Sequence, residues 1–90
     1  MIIAAQIQFI PLQTLEAMPI IDSAIALIES SGLTYEVGPF GTSVEGPQEL
    51  IMNLVQDLLQ ISEELEFLLN VQYHRGPQRL SNTEKVAKFR

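Results

Sequence analysis

The sequence contains no cysteine, which excludes disulfide bonds and thiolate metal sites. It also has a single histidine, His74. A hydrolase would need either a nucleophile with a base or a set of metal ligands, and one histidine without any cysteine supplies neither. Gly41 and Gly46 have the spacing of phosphate-loop glycines, but Pro47 and Gln48 stand where such a loop needs lysine and a hydroxyl residue. We therefore expect no enzyme, no metal site and no cofactor.

Basic residues are also scarce. Five lysines and arginines stand against eleven acidic residues, which gives a formal net charge of -6. Because binding to phosphate backbones needs a basic surface, nucleic acid is not an expected partner, and a cationic small molecule suits the chain better.

Long apolar runs are absent as well. None approaches the roughly 18 to 20 residues of a membrane span, and the first residues carry neither a basic leader nor a small-residue cleavage site. We therefore expect a soluble, cytoplasmic protein without a membrane partner, and the lack of cysteine fits a reducing compartment.

The length predicts one domain over residues 1–90, because no repeat, linker or low-complexity segment divides the chain. The chain is 47% hydrophobic, which is enough for a core. In a domain of this size, burial of apolar surface within one chain provides only a small free energy of unfolding. Association between copies would bury more surface and add to it.

The first half of the chain predicts a strand, a helix and two more strands. Residues 2–10 alternate apolar and polar side chains up to Pro11. Helical spacing follows, with Pro19 in the first turn and a stop at Gly32. Residues 33–37 and 42–45 then alternate again, on either side of a turn built from Gly38, Pro39 and Gly41.

The second half predicts a helix, a strand and a short terminal helix. Pro47 suits a first helical turn, and an apolar stripe continues to an end near Ser62. Residues 67–74 alternate as a fourth strand, and Ser81 with Glu84 matches a capping box before a helix over residues 83–89. The order predicts an α+β, ferredoxin-like βαββαβ fold, with a four-stranded antiparallel sheet and two helices on one face.

The other face of this sheet is predicted to be open and polar. A fully solvated surface, a wet contact between subunits and a recognition surface for a hydrogen-bonding cation all fit it. By the two-residue alternation of the strands, four apolar residues also fall on this face, and they favour association between sheets: Ile2, Ala4, Ile10 and Leu68. Its polar residues are Gln6, Gln8, Thr34, Glu36, Ser43, Glu45, Asn70, Gln72 and His74.

The stretch "SGLTYEVGPFGTSVEG", with "EKVAKF" near the C-terminus, resembles the thiamine-binding protein family, small ferredoxin-like proteins long classed as a domain of unknown function. Members typically read Ser-Gly-Leu-x-Tyr, then Gly-Pro-Met-Gly-Thr, then Glu-Gly. The matching residues here are Ser31, Gly32, Leu33, Tyr35, Gly38, Pro39, Gly41, Thr42, Glu45 and Gly46.

This resemblance implies a protein without catalysis that binds thiamine or its hydroxymethylpyrimidine moiety, with subunits that associate through their sheets as dimers or, commonly, tetramers. The polar face suits such a ligand, because thiamine has a thiazolium cation, an aminopyrimidine with donors and acceptors, and two flat rings.

The chain departs from the family pattern at several positions. Phe40 stands where methionine is usual, and Gln13 replaces a typical glycine in the loop after the first strand. Gln6 and Gln72 replace an acid and a lysine, so two neutral amides stand in place of a charged pair, and His74 stands where an acid is common.

We predict seven ligand-binding residues. The amides would meet an aminopyrimidine, Glu36 and Glu45 would face a positive ring, Phe40 would stack on a ring, and Thr42 would offer its hydroxyl or only shape the turn. Phe40 as a plug in a subunit contact is the competing interpretation, and Tyr35 is predicted as a core residue with its hydroxyl at the rim. The three amides are those of Gln6, Gln8 and Asn70.

A second class of function stays open at this point. The same polar face would suit an oligomeric assembly or regulatory subunit that contacts another protein and binds no small ligand.

Overall fold

The computed structural model describes residues 1–90 and has the predicted ferredoxin-like fold. None of its helices combines the length and the apolar character needed to cross a membrane. Its elements are β1 (Ile2–Pro11), α1 (Ala17–Glu29), β2 (Thr34–Val37), β3 (Thr42–Pro47), α2 (Gln48–Leu59), β4 (Phe67–His74), α3 (Asn82–Val86) and a final 3-10 turn (Ala87–Phe89).

The four strands form one antiparallel sheet in the order β2-β3-β1-β4. The pairing register of the central strand β1 determines which residues share a face. Ala5 lies opposite Val44 and Tyr73, whereas Gln6 lies opposite Ser43 and Gln72. Because side chains alternate along a strand, the first set faces the helices and the second lies on the opposite, open face.

The core lies between the sheet and the two long helices, as the apolar spacing predicts. From the sheet it takes the alternate apolar residues of β1 together with Val44. From the helices it takes residues three or four apart, which lie on one side of each helix. The buried helix residues are Ala24, Ile28, Ile51, Leu54 and Leu58.

Two predicted helix boundaries are wrong. Pro47 is extended, with φ -57° and ψ 137°, and it ends β3 and precedes α2 instead of lying in the first helical turn. The helix α2 ends at Leu59 rather than near Ser62. After it, the amide of Ile61 bonds the carbonyl of Leu58, three residues back, so the helical pattern tightens and then stops.

The loop after β1 contains a strained residue. Gln13 has a positive φ of 53°, the left-handed region that side chains with a Cβ rarely adopt. Glycine adopts this conformation without steric cost, so a glycine would fit this position with less strain than Gln13 does.

The predicted capping box at the start of α3 is confirmed. The Ser81 hydroxyl accepts from the Glu84 amide at 3.1 Å, and the Glu84 carboxylate accepts from the Ser81 amide at 2.9 Å. This backbone hydrogen bond, with the side chain of Ser81, lowers the pKa of Glu84 below its ordinary value. The α-helix ends at Val86, and the rest of the predicted helix is the 3-10 turn.

Two adjacent leucines of α2 provide a test of this core. Leu58 is fully buried, whereas Leu59 is 56% exposed. We expect Leu58→Ala to lower the free energy of unfolding by about 2 to 5 kcal/mol, because it leaves a cavity in the core. Leu59→Ala changes helix propensity by the same amount and should cost less than about 1 kcal/mol. Urea denaturation of both variants measures the difference, and equal losses would contradict this description of the core.

Candidate functional site

The open face of the sheet is not flat, because the C-terminal segment, residues 79–90, folds back over part of it. A cavity of about 920 Å³ lies between the two. Its wall includes residues of the central strand, of the β2–β3 hairpin and of α3. The overlying segment also explains why Ala4, which has the parity of the open face, is only 3% exposed.

An ion pair between Arg79 and Glu45 holds this segment on the sheet. The guanidinium Nη1 of Arg79 lies 2.6 Å from Oε2 of Glu45, and the two side chains are only 7% and 15% exposed. The same carboxylate accepts from the backbone amide of Asn82 at 3.2 Å, and the Asn82 side chain donates to the Val44 carbonyl at 3.3 Å. Glu45 therefore joins β3 to the start of α3.

Two further contacts between the C-terminal segment and the sheet are exposed to solvent. Arg90 pairs with Glu36 of β2, with side-chain exposures of 59% and 58%. Lys85 contacts Nδ1 of His74 at the end of β4. Exposed pairs of this kind contribute little to stability, so these side chains can exchange partners more readily than Arg79 and Glu45.

A row of polar side chains crosses the cavity floor where β3, β1 and β4 run side by side. The hydroxyl of Ser43 donates to Oε1 of Gln6 at 2.8 Å, which leaves the Gln6 amide nitrogen as a donor. Gly41 makes room for this amide, because a Cβ there would lie 2.5 Å from Gln6 Nε2 and 2.8 Å from the Ile7 carbonyl. The Gln72 side chain, directly opposite Gln6, makes no hydrogen bond within the chain.

A second, shallower cavity of about 570 Å³ continues along β1 and β4. Here Asn70 donates to Oε1 of Gln8 at 3.1 Å, so one donor group of Gln8 and the carbonyl of Asn70 remain available. Gln6, Phe40 and Gln72 line both cavities and therefore mark where they meet.

Phe40 is the aromatic ring at this junction. It lies in the turn between β2 and β3, where the Gly38 amide bonds the Gly41 carbonyl at 2.8 Å. Its side chain is 82% exposed and does not belong to the core. The turn thus holds a free aromatic surface beside the amides of Gln6 and Gln72.

Six of the seven predicted site residues line one or both cavities. Thr42 does not, because it lies opposite Ile7 with the parity of the helix side and is only 5% exposed. Of the two roles predicted for Thr42, offering its hydroxyl to a ligand or shaping the turn, only the second is compatible with this position. The six residues that line the cavities are Gln6, Gln8, Glu36, Phe40, Glu45 and Asn70.

The prediction of Tyr35 as a core residue is wrong. Its parity points toward the helices as expected, but β2 is an edge strand and its residues are exposed, with Tyr35 at 40%. The helices cover the central strands rather than this edge.

Four residues of the C-terminal segment contact the open face without having been predicted to do so. The capping box indicated a helix there, but a local motif does not say where the helix packs. Their charge was the available signal, because three of them are among only five basic residues in an acidic chain. The four residues are Arg79, Asn82, Lys85 and Arg90.

Comparison with known sequences places the chain among relatives of the same family, and comparison with solved structures supports the fold. The family described as thiamine-binding protein matches residues 5–90. A UPF0045 protein of Clostridium perfringens is 30% identical over 76 residues, which cover 79% of this chain and 78% of that protein.

Two solved structures share the fold along almost the whole chain. A Thermotoga maritima protein with a proposed role in thiamine biosynthesis or salvage is 33% identical, with a TM-score of 0.86 and full coverage of both chains. A domain of unknown function, DUF77, from Bacillus cereus is 26% identical, with a TM-score of 0.82 over 99% of this chain and 90% of that one.

The two arginine–glutamate pairs predict different effects on stability. We expect Arg79→Met to lower the free energy of unfolding by at least about 2 kcal/mol, because it leaves the largely buried Glu45 carboxylate without its counter-charge. Arg90→Met removes an exposed pair and should cost less than about 1 kcal/mol. Chemical denaturation of both variants at neutral pH checks the difference, and an equal cost would show that Arg79 does not anchor the segment.

Proposed function

The chain belongs to the thiamine-binding protein family, and from this we propose that it binds thiamine or hydroxymethylpyrimidine in the cavity under the C-terminal segment, without catalysing a reaction. The observation that carries the proposal is the exposed ring of Phe40 beside the free amide groups of Gln6 and Gln72. An aromatic surface with a few convergent polar groups is the usual composition of a small-molecule site, and a volume of about 920 Å³ is ample for one.

The aminopyrimidine ring binds at the junction of the two cavities. It stacks on Phe40, and its amino group and ring nitrogens pair with amides that have no other partner. Gln6 supplies a donor, and Gln72 supplies both a donor and an acceptor. Neutral amides match this ring well, since it has donors and acceptors but no formal charge.

The thiazolium cation of thiamine lies toward Glu36. This carboxylate is exposed and lines the larger cavity, and its present partner Arg90 is equally exposed. A ligand cation can therefore take the place of the guanidinium at little cost. Glu45 contributes less to binding, because Arg79 already neutralises it.

Self-association through the open face accompanies this function. Ile2 and Leu68 are about half exposed on that face near the two ends of β1, and the ring of Phe40 in the β2–β3 turn is exposed as well. Burying these side chains against a second sheet stabilises a dimer or a homotetramer and encloses the ligand.

Titration calorimetry with thiamine and hydroxymethylpyrimidine tests the proposal. We expect micromolar binding of at least one of them, with a stoichiometry near one per subunit or one per dimer. At a hundred times the dissociation constant, the ligand should add about 2.7 kcal/mol of stability. For a chain of this length that raises the melting temperature by about 10 °C or more.

An absence of binding and of a melting shift, in a folded and oligomeric protein, would contradict the proposal. The assembly or regulatory subunit without a small ligand would then be the better interpretation, and Phe40 would be an interface residue.

The contribution of the aromatic ring is separately testable. We expect Phe40→Ala to weaken thiamine binding at least tenfold, about 1.4 kcal/mol, because the pyrimidine loses its stacking surface. Phe89→Ala is the matched control, since Phe89 is 74% exposed but lines neither cavity. Calorimetry measures affinity and sedimentation measures oligomeric state. If Phe40→Ala dissociates the oligomer and leaves the affinity of the subunit unchanged, the ring is an interface plug and not a ligand platform.

A further inference from the structure

We propose that the cavity takes the phosphate monoester of its ligand in preference to the free alcohol, with Lys85 and His74 as the phosphate-binding residues. This inference rests on the proposed function and specifies the chemical form of the ligand.

The contact between Lys85 and His74 presents hydrogen-bond donors to the cavity. The Lys85 ammonium lies 2.5 Å from Nδ1 of His74, and both residues line the cavity wall. An ammonium group can only donate, so Nδ1 is the acceptor and the neutral imidazole carries its proton on Nε2. The remaining ammonium protons and the Nε2 proton are donors, and phosphate oxygens are strong acceptors.

Lys85 and Arg90 are the lysine and arginine side chains on the cavity wall, and only Lys85 has no counter-charge. Arg79 is paired with Glu45 and Arg90 is paired with Glu36, so these four charges cancel in two pairs. Lys85 has no carboxylate partner in the structure. The phosphate of a ligand without a thiazolium therefore supplies the missing counter-charge at this end of the cavity and leaves both ion pairs in place.

The two residues proposed to bind phosphate, His74 and Lys85, lie within reach of a ring that stacks on Phe40 beside Gln72. His74 lies opposite Ala4 of β1, whereas Gln72 lies opposite Gln6, two residues further along the strand. Two residues of an antiparallel strand span about 6.8 Å. A pyrimidine ring on Phe40 and Gln72 can thus extend the phosphate ester of its hydroxymethyl group along the strand to His74 and Lys85. The ester arm of thiamine is carried by the thiazolium, which the proposed binding mode directs toward Glu36 at the opposite edge of the sheet, so hydroxymethylpyrimidine phosphate fits this arrangement better.

The net charge of -6 opposes any anion at long range. At physiological ionic strength, however, charges further than about 8 Å away are largely screened, whereas direct donors at hydrogen-bond distance are not. Binding of the ester should therefore depend on this local pair of residues.

Calorimetry of the wild-type protein with thiamine and thiamine monophosphate, and with hydroxymethylpyrimidine and its phosphate, measures the preference. We expect at least one ester to bind ten times more tightly than its alcohol, about 1.4 kcal/mol. The two pairs of ligands show which parent molecule carries the phosphate. Equal affinity for ester and alcohol in both pairs would overturn the inference and leave the proposed function intact.

Three lysine variants assign the preference to its residue. We expect Lys85→Met to remove the preference and keep the affinity for the alcohol, and Lys85→Arg to retain most of the preference. Lys88→Met is the matched control in the same segment, because Lys88 lies over the Phe89 ring, 5.0 Å from its centroid, and does not line the cavity.

Three results would contradict the role of Lys85. A Lys85→Met protein that still prefers the ester excludes it as the phosphate-binding residue. A uniform loss for ester and alcohol identifies Lys85 as an anchor of the segment only. If the wild-type protein binds none of the four compounds, the proposed function fails, and this inference fails with it.

Discussion

The ion pair between Arg79 and Glu45 determines whether the sheet has a flat polar face or a cavity. The pair is largely buried, and Asn82 adds two hydrogen bonds beside it, so the beginning of the C-terminal segment is well fixed. The end of the segment rests on exposed contacts, Lys85 with His74 and Arg90 with Glu36. A segment that is anchored at one end and weakly held at the other can admit a ligand without unfolding.

This arrangement gives the two predicted carboxylates different roles. Glu36 and Glu45 look equivalent in the sequence, since both are glutamates of the same hairpin with the same parity. In the structure Glu45 is largely buried against Arg79 and supports the cavity wall, whereas Glu36 is exposed in a pair with Arg90. The difference comes from their partners, because Glu45 pairs with Arg79, 34 residues away along the chain, and Glu36 pairs with Arg90, 54 residues away.

The amide row is determined by the register of β1. Because β1 pairs with strands on both sides, Gln6 meets Ser43 on one side and Gln72 on the other. A shift of one residue would turn Gln6 toward the core and Ile7 toward the cavity, which the burial of Ile7 strongly disfavours. The hydrophobic core therefore also positions the polar groups of the site, and Gly41 supplies the space that the Gln6 amide occupies.

Local patterns in the sequence determined the order of elements, the parity of each strand and the capping box, because these depend on the two-residue and 3.6-residue periods and on short-range hydrogen bonds. They also identified the hairpin with Phe40 and the amides of the open face. They did not determine where α3 packs, which carboxylate is neutralised, or that Tyr35 at the sheet edge is exposed. Those outcomes depend on contacts between residues far apart in the chain, which only the tertiary structure brings together.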